Sequence, residues 1–212
     1  MSDTLPVLTL AETRVLGTLV EKQRTVPDTY PLSLNALAAG CNQKTSRQPV
    51  LELAEAEILQ ALDGLKDAGL AVEVSGSRVV RFEHRLEKVL GVPTQASALL
   101  TVLMLRGPQT AGELRLNCER LHRFADISAV EAFLEELAGR GLVVELPRLP
   151  GSRENRWSHL LSGQPAVEAP AASGGRAGNQ EIDELKNRVS ALESEVGELR
   201  TLLAALRAEL GG

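Results

Sequence analysis

An internal repeat constrains the fold of this chain more than any other feature of its sequence. Residues 58–74 (ILQALDGLKDAGLAVEV) match residues 130–146 (VEAFLEELAGRGLVVEL) at a constant offset of 72 residues. The shared pattern is an apolar helical period, a glycine, and then a short apolar strand. The glycines, Gly69 and Gly141, stand just past the helix end, where a left-handed backbone is common. The chain therefore contains two copies of one unit of about 75 residues, and not a longer array of repeats.

The order of predicted elements in each copy is that of a winged-helix domain. Residues 33–41 and 110–118 also match each other and predict a short second helix in each copy. Each copy then reads as helix, short helix, turn, helix and β-hairpin, which is a helix-turn-helix core followed by a wing. We therefore predict an α+β, mainly helical fold with two tandem winged-helix domains, 1–90 and 91–161.

The predicted element bounds follow from periodicity, turn residues and helix caps. The helices are predicted at about 10–22, 33–41, 54–68, 95–106, 110–121 and 128–139, and the hairpin strands at 70–74, 78–82, 142–146 and about 153–159. Three S/T-x-x-E motifs predict capped helix starts: Thr9 with Glu12, Thr110 with Glu113, and Ser128 with Glu131.

The C-terminal part of the chain has a different character. Residues 162–180 are mostly Ala, Gly, Pro and Ser, a composition that predicts a flexible linker. Residues 181–210 carry an unbroken heptad seam that predicts a coiled-coil helix and a parallel homodimer, the alternative being an amphipathic helix folded back on its own chain. The predicted dimerisation residues are Ile182, Leu185, Val189, Leu192, Val196, Leu199, Leu203 and Leu206.

Four long runs of the sequence are familiar as a set: residues 12–50, 105–124, 146–161 and 187–200. Together these runs resemble the bacterial YceH-like family. The resemblance covers about residues 8–161 and implies two tandem winged-helix domains, but it supplies no catalytic residue. One departure is local: members of the family usually place Ser or Thr before the third helix of the first domain, where this chain has Ala54.

The cysteines and histidines of this sequence are scattered, and they form no recognisable catalytic or metal-binding pattern. Cys41 and Cys118 form no CxxC pair, and their spacing places each on the apolar face of a second helix, as a core residue. The three histidines have no ligand at metal-binding spacing, and the sequence has no glycine-rich phosphate loop. We therefore expect no enzyme activity, no cofactor and no metal. With no signal peptide and no long apolar run, we expect a cytoplasmic protein that does not enter a membrane.

The charge pattern leaves two functions open. The formal net charge is −5, and both predicted third helices are acidic, which argues against a recognition helix that approaches phosphates. Basic residues lie instead in a turn and on the wings, where they could contact a nucleic-acid backbone: Lys44, Arg47, Arg78, Arg81, Arg153 and Arg156. The first hypothesis is a dimeric regulator that holds duplex DNA with its wings. The alternative is an interaction scaffold that docks an unknown protein partner without binding DNA.

Overall fold

The structure is a computed structural model that describes residues 7–74, 79–148, 151–152 and 154–165. It is an α+β fold in which about half of the described residues are helical and the strands form small antiparallel sheets. The predicted coiled-coil helix, 181–210, with its eight dimerisation residues, lies outside the described residues, as does most of the predicted linker.

The first repeat folds as three main helices followed by a hairpin. Its elements are α1 (Leu10–Thr25), a 3-10 turn (Pro27–Thr29), β1 (Leu32–Ser33), α2 (Leu34–Cys41), α3 (Glu55–Asp67), β2 (Ala71–Val74), β3 (Arg81–His84) and α4 (Leu86–Leu90). The strands form an antiparallel sheet in the order β1-β3-β2, so Phe82 of β3 lies opposite Leu32 on one side and Glu73 on the other. β1 and α4 were not among the predicted elements.

The second repeat has the same order of elements. Its elements are α5 (Thr94–Arg106), α6 (Ala111–Asn117), α7 (Ile127–Gly139), β4 (Val143–Leu146) and β5 (Arg156–His159). β4 and β5 pair antiparallel, and a single bridge joins Gln109 to Trp157 where the first repeat has β1 against β3.

The helix ends confirm two of the three predicted capping boxes. The hydroxyls of Thr9 and Thr110 each accept from the backbone N–H three residues on, and Glu12 and Glu113 bond back to the caps. The third prediction is wrong, because α7 begins one residue before Ser128. Its cap is Asp126, whose Oδ1 accepts from the Ala129 N–H at 2.8 Å.

The two repeats share one hydrophobic core. α1 of the first repeat packs against α5 of the second, and the buried apolar residues of both repeats form a single cluster. A Cβ added to Gly17 would lie 3.0 Å from the Leu105 side chain, so this glycine permits the close approach of α1 and α5. The ends of the two repeats also meet, because the Leu8 N–H donates to the Leu161 carbonyl oxygen at 2.8 Å.

Candidate functional site

Arg47 has a structural role and is unavailable to a phosphate. Its side chain is fully buried, and its two terminal nitrogens donate to the two carboxylate oxygens of Glu21 at 3.1 and 2.6 Å. The same guanidinium donates to the Gly40 carbonyl oxygen near the end of α2, where positive charge is stabilised. This burial argues against the prediction that Arg47 contacts a nucleic-acid backbone, because the side chain instead binds the turn after α2 to α1.

Arg81 and Arg156 hold the hairpins in place. Each is the first residue of the second hairpin strand of its repeat. Arg81 donates to the Thr29 and Pro31 carbonyl oxygens at 3.2 and 2.7 Å, and Arg156 donates to the Pro108 carbonyl oxygen. Both guanidiniums thus tie a hairpin to the segment that precedes the second helix, which reduces their freedom to follow an external phosphate.

Lys44 is the one candidate contact that the described residues leave exposed on a turn without a bonded partner. Arg78 and Arg153 lie outside the described residues, so their positions on the wings remain predictions. The structure therefore does not bring the six predicted basic residues together into one described surface.

An apolar groove runs between α3 and the β2–β3 hairpin. It has a volume of about 310 Å³ and its floor includes the buried side chains of Leu62 and Phe82. Leu59 on α3 is 42% exposed and Val80 beside β3 is 47% exposed, so apolar surface reaches the groove's mouth. We call this feature the hairpin groove.

The rim of the hairpin groove is acidic. Asp63 and Glu73 line it, and among the lining residues that the structure describes the single cation, Lys66, forms an ion pair with Asp63 at 2.8 Å. Among the side chains of α3 there are two further glutamates and a second aspartate: Glu55, Glu57 and Asp67. A phosphate backbone would be repelled here, whereas a cationic segment would be attracted.

The two cysteines are core residues, as predicted. Both are fully buried, and burial raises the pKa of Cys41 to about 11 and that of Cys118 to about 12. A thiol with so high a pKa is a poor nucleophile and a poor metal ligand. Within the described ranges, no group of three or more His, Cys, Asp and Glu side chains is placed to hold a metal ion.

Of the histidines at the ends of β3 and β5, His84 is buried and His159 is half-buried. His84 donates from Nε2 to the Gln23 amide oxygen at 2.7 Å and accepts at Nδ1 from the Leu86 N–H, a pattern that requires the neutral ring. His159 occupies the equivalent place in the second repeat. Burial lowers the pKa of each to about 4.

The described residues form a duplicated α+β fold with an apolar, acid-rimmed groove beside the hairpin of the first repeat. None of the helices within the described residues is long and apolar enough to cross a membrane. The chain belongs to the DUF480 family: residues 8–152 match the family model described as "Protein of unknown function, DUF480". The YceH-like resemblance of the sequence is consistent with this family.

Curated relatives match nearly the whole chain. A UPF0502 protein of Dechloromonas aromatica (strain RCB) is 75% identical over 209 residues, covering 96% of this chain and 97% of the relative. A UPF0502 protein of Burkholderia pseudomallei (strain 668) is 59% identical over 209 residues, covering 96% and 89%. One of Cupriavidus taiwanensis is 57% identical over 212 residues, covering 96% and 87%.

Proposed function

We propose that this chain is a non-enzymatic protein-docking module built from two tandem winged-helix domains, 1–90 and 91–161. The winged-helix assignment is supported by the order of three helices and an antiparallel hairpin in both repeats. It is also supported by the glycines after α3 and α7, Gly69 and Gly141, which have left-handed φ angles of 70° and 69°.

One observation carries the docking proposal: the hairpin groove is apolar and acid-rimmed. A winged helix that reads DNA turns its third helix and wing toward the duplex and needs cations and amide donors there. In the first repeat the corresponding surface offers Leu59 and Val80, with Asp63 and Glu73 at the rim. Apolar surface that reaches solvent beside such a rim is typical of a protein interface.

The charge of the rim defines the partner. The occupant is a protein segment that places apolar side chains on Leu62 and Phe82 and flanks them with Lys or Arg near Asp63 and Glu73. Burial of the apolar side chains supplies most of the affinity, and the flanking charges set the orientation and the rate of association.

The C-terminal heptads bear on the oligomeric state of the protein. We infer that residues 181–210 pair as a parallel coiled coil, which supports a homodimer that presents two hairpin grooves at the ends of flexible linkers. Two weak grooves on one dimer would bind a partner with two such segments far more tightly than one groove alone, because the second contact is intramolecular.

DNA contact through exposed cations is the second candidate function. It is favoured by Lys44, which is exposed on the turn before α3, and by Arg85 and Lys88, which are exposed just after β3. Arg78 and Arg153 on the predicted wings would extend this set. These residues could hold phosphates without any use of the acidic third helices.

A peptide-display selection on the full chain tests the docking proposal. We expect the wild type to enrich peptides with apolar residues flanked by Lys or Arg. Leu59→Glu should weaken their binding about tenfold or more, as expected for a charge placed on an apolar contact. The control is Leu116→Glu, because Leu116 is 70% exposed on α6 of the other repeat. No enrichment, or equal losses in both variants, would contradict the proposal.

A titration with short random-sequence duplex DNA separates the two functions. Measurable binding at low salt that falls steeply as salt is added would favour the second candidate. The variant Lys44→Ala/Arg78→Ala/Arg153→Ala should then flatten the salt dependence. It leaves Arg81 and Arg156 intact, because their substitution would also loosen the hairpins.

A further inference from the structure

A second concave site lies between the two repeats, away from the hairpin groove. The turn after α2 approaches the end of α5: the Gln48 N–H donates to the Leu105 carbonyl oxygen at 2.8 Å, and Arg106 donates to the Ser46 hydroxyl at 2.7 Å. The space between this turn, the ends of α1 and α5, and the end of α6 is a cleft of about 290 Å³. We call it the inter-repeat cleft.

The inter-repeat cleft carries an excess of positive charge. Lys22, Arg106 and Arg120 line it, and they come from three different helices or their ends. Among the described lining residues the single carboxylate is Glu21, whose Oε2 already pairs with the buried Arg47 at 2.6 Å and with Lys22 at 3.0 Å. Arg120 is exposed and has no carboxylate or carbonyl partner within the part of the chain that the structure describes.

Neutral donors and an apolar floor complete the cleft. The hydroxyls of Thr45 and Ser46 and the amides of Gln43 and Asn117 lie among the cations, and the floor includes the buried side chains of Val102 and Leu105. Ser46 is held at a φ of 60°, an uncommon conformation for a residue other than glycine. Such strain is frequent where a backbone is shaped around a ligand.

We propose that the inter-repeat cleft binds a phosphorylated small molecule. Guanidinium groups hold phosphate oxygens in pairs of hydrogen bonds, so Arg106 and Arg120 would bind the phosphate directly. Lys22 is paired with Glu21 and would contribute only to the positive potential of the cleft. The apolar floor would receive the rest of the molecule. The volume, near the lower end for small-molecule sites, fits a ligand of about the size of a nucleoside monophosphate.

The inter-repeat cleft is independent of the docking function. Ligand binding to the cleft can therefore be measured directly. Calorimetric titration of the full chain would use inorganic pyrophosphate and the nucleoside monophosphates as probes, with unphosphorylated nucleosides for comparison. We expect pyrophosphate and at least one monophosphate to bind, and the nucleosides not to bind. Arg120→Gln should weaken binding about tenfold, the loss expected for one charged hydrogen bond.

A neighbouring arginine supplies the matched control. Arg123 is exposed three residues further on and does not line the cleft, so Arg123→Gln should retain wild-type affinity. Failure of every phosphorylated probe to bind, or equal losses in the two variants, would overturn the proposal. Binding of duplex DNA that pyrophosphate competes away and that Arg120→Gln weakens would also overturn it, because the cations would then serve a nucleic acid.

Discussion

The ion pair between Glu21 and Arg47 offers a direct test of how the first repeat is held together. Glu21→Gln keeps the shape of the side chain but removes the charge that neutralises a guanidinium with no solvent exposure. Removing one partner of a buried pair costs about 3–5 kcal/mol. Glu21 is 16% exposed, and Arg47 keeps its bonds to the Gly40 and Ser46 carbonyl oxygens, so we expect about 3 kcal/mol.

Urea unfolding followed by helical circular dichroism at neutral pH measures this loss. For a slope of about 2 kcal/mol per molar urea, the unfolding midpoint of Glu21→Gln should fall by about 1.5 M. Lys44→Ala is the control on the same turn, and because Lys44 is exposed its unfolding free energy should change by less than about 0.5 kcal/mol. A loss in Glu21→Gln no larger than in the control would refute the assignment of Arg47 to the interior.

Acid adds a second signature of the same pair. Burial alone would raise the pKa of Glu21, but the hydrogen bonds and charges of Arg47 and Lys22 outweigh it and hold the pKa below its ordinary value. The stabilisation is therefore full above the pKa of the unfolded chain and is lost as the pH falls through the lower folded pKa. Glu21→Gln should lack this part of the acid sensitivity.

Three further outcomes follow from the packing and from the heptads. Since burial lowers the pKa of His84 and His159 from about 6.5 to about 4, their stabilisation is full above pH 6.5 and is lost as the pH falls toward 4. At pH 5 each histidine should lower the free energy of unfolding, measured with urea, by about 2 kcal/mol. His84→Gln and His159→Gln should each remove the corresponding part of this pH dependence. Gly40→Ala would place a Cβ 2.6 Å from the Thr18 side chain, so we expect a loss of about 1–3 kcal/mol in the same assay. A chain ended at residue 161 should sediment as a monomer, and the full chain as a dimer.

Each of these outcomes has a result that would contradict it, and Gly40→Ala also has a matched control. Gly139→Ala is matched to Gly40→Ala, because a Cβ at Gly139 meets nothing within 4 Å and should leave stability unchanged or slightly raised. Equal effects of the two substitutions would contradict the packing argument. Stability that does not change between pH 7 and pH 5 would contradict the burial of the histidines. A dimer that persists without the C-terminal segment would assign self-association to the repeats.

The repeat pattern predicted the backbone well because local signals agree with the fold. Gly69 and Gly141 end equivalent helices in left-handed conformations, and the helices begin within about two residues of the predicted positions. β1 escaped prediction because two residues are too short to show the alternation of a strand. α4 follows β3 directly and has only five residues, so its helical period is equally hard to detect.

Charge alone does not report burial, so the sequence could not show which of the basic candidates lie in the interior. Arg47 stands in a polar turn, and only the packing of that turn against α1 brings Glu21 to it. For Arg81 and Arg156 the sequence did contain a signal of a structural role. An arginine recurs at equivalent positions of both repeats, as expected for a residue that holds each hairpin in place. The sequence also contained a signal for the hairpin groove. Ile58, Leu62 and Leu65 form the core-facing side of α3, and the apolar Leu59 lies outside that side.

The shared core of the two repeats has a thermodynamic consequence. Because α1 and α5 are packed into one another's repeat, melting either half exposes the apolar surface of both, and the described unit should unfold in one cooperative transition. A segment bound in the hairpin groove and a ligand bound in the inter-repeat cleft would then each stabilise the same folding equilibrium. Occupancy of either site would in this way raise the stability of both repeats, with no change in backbone geometry required.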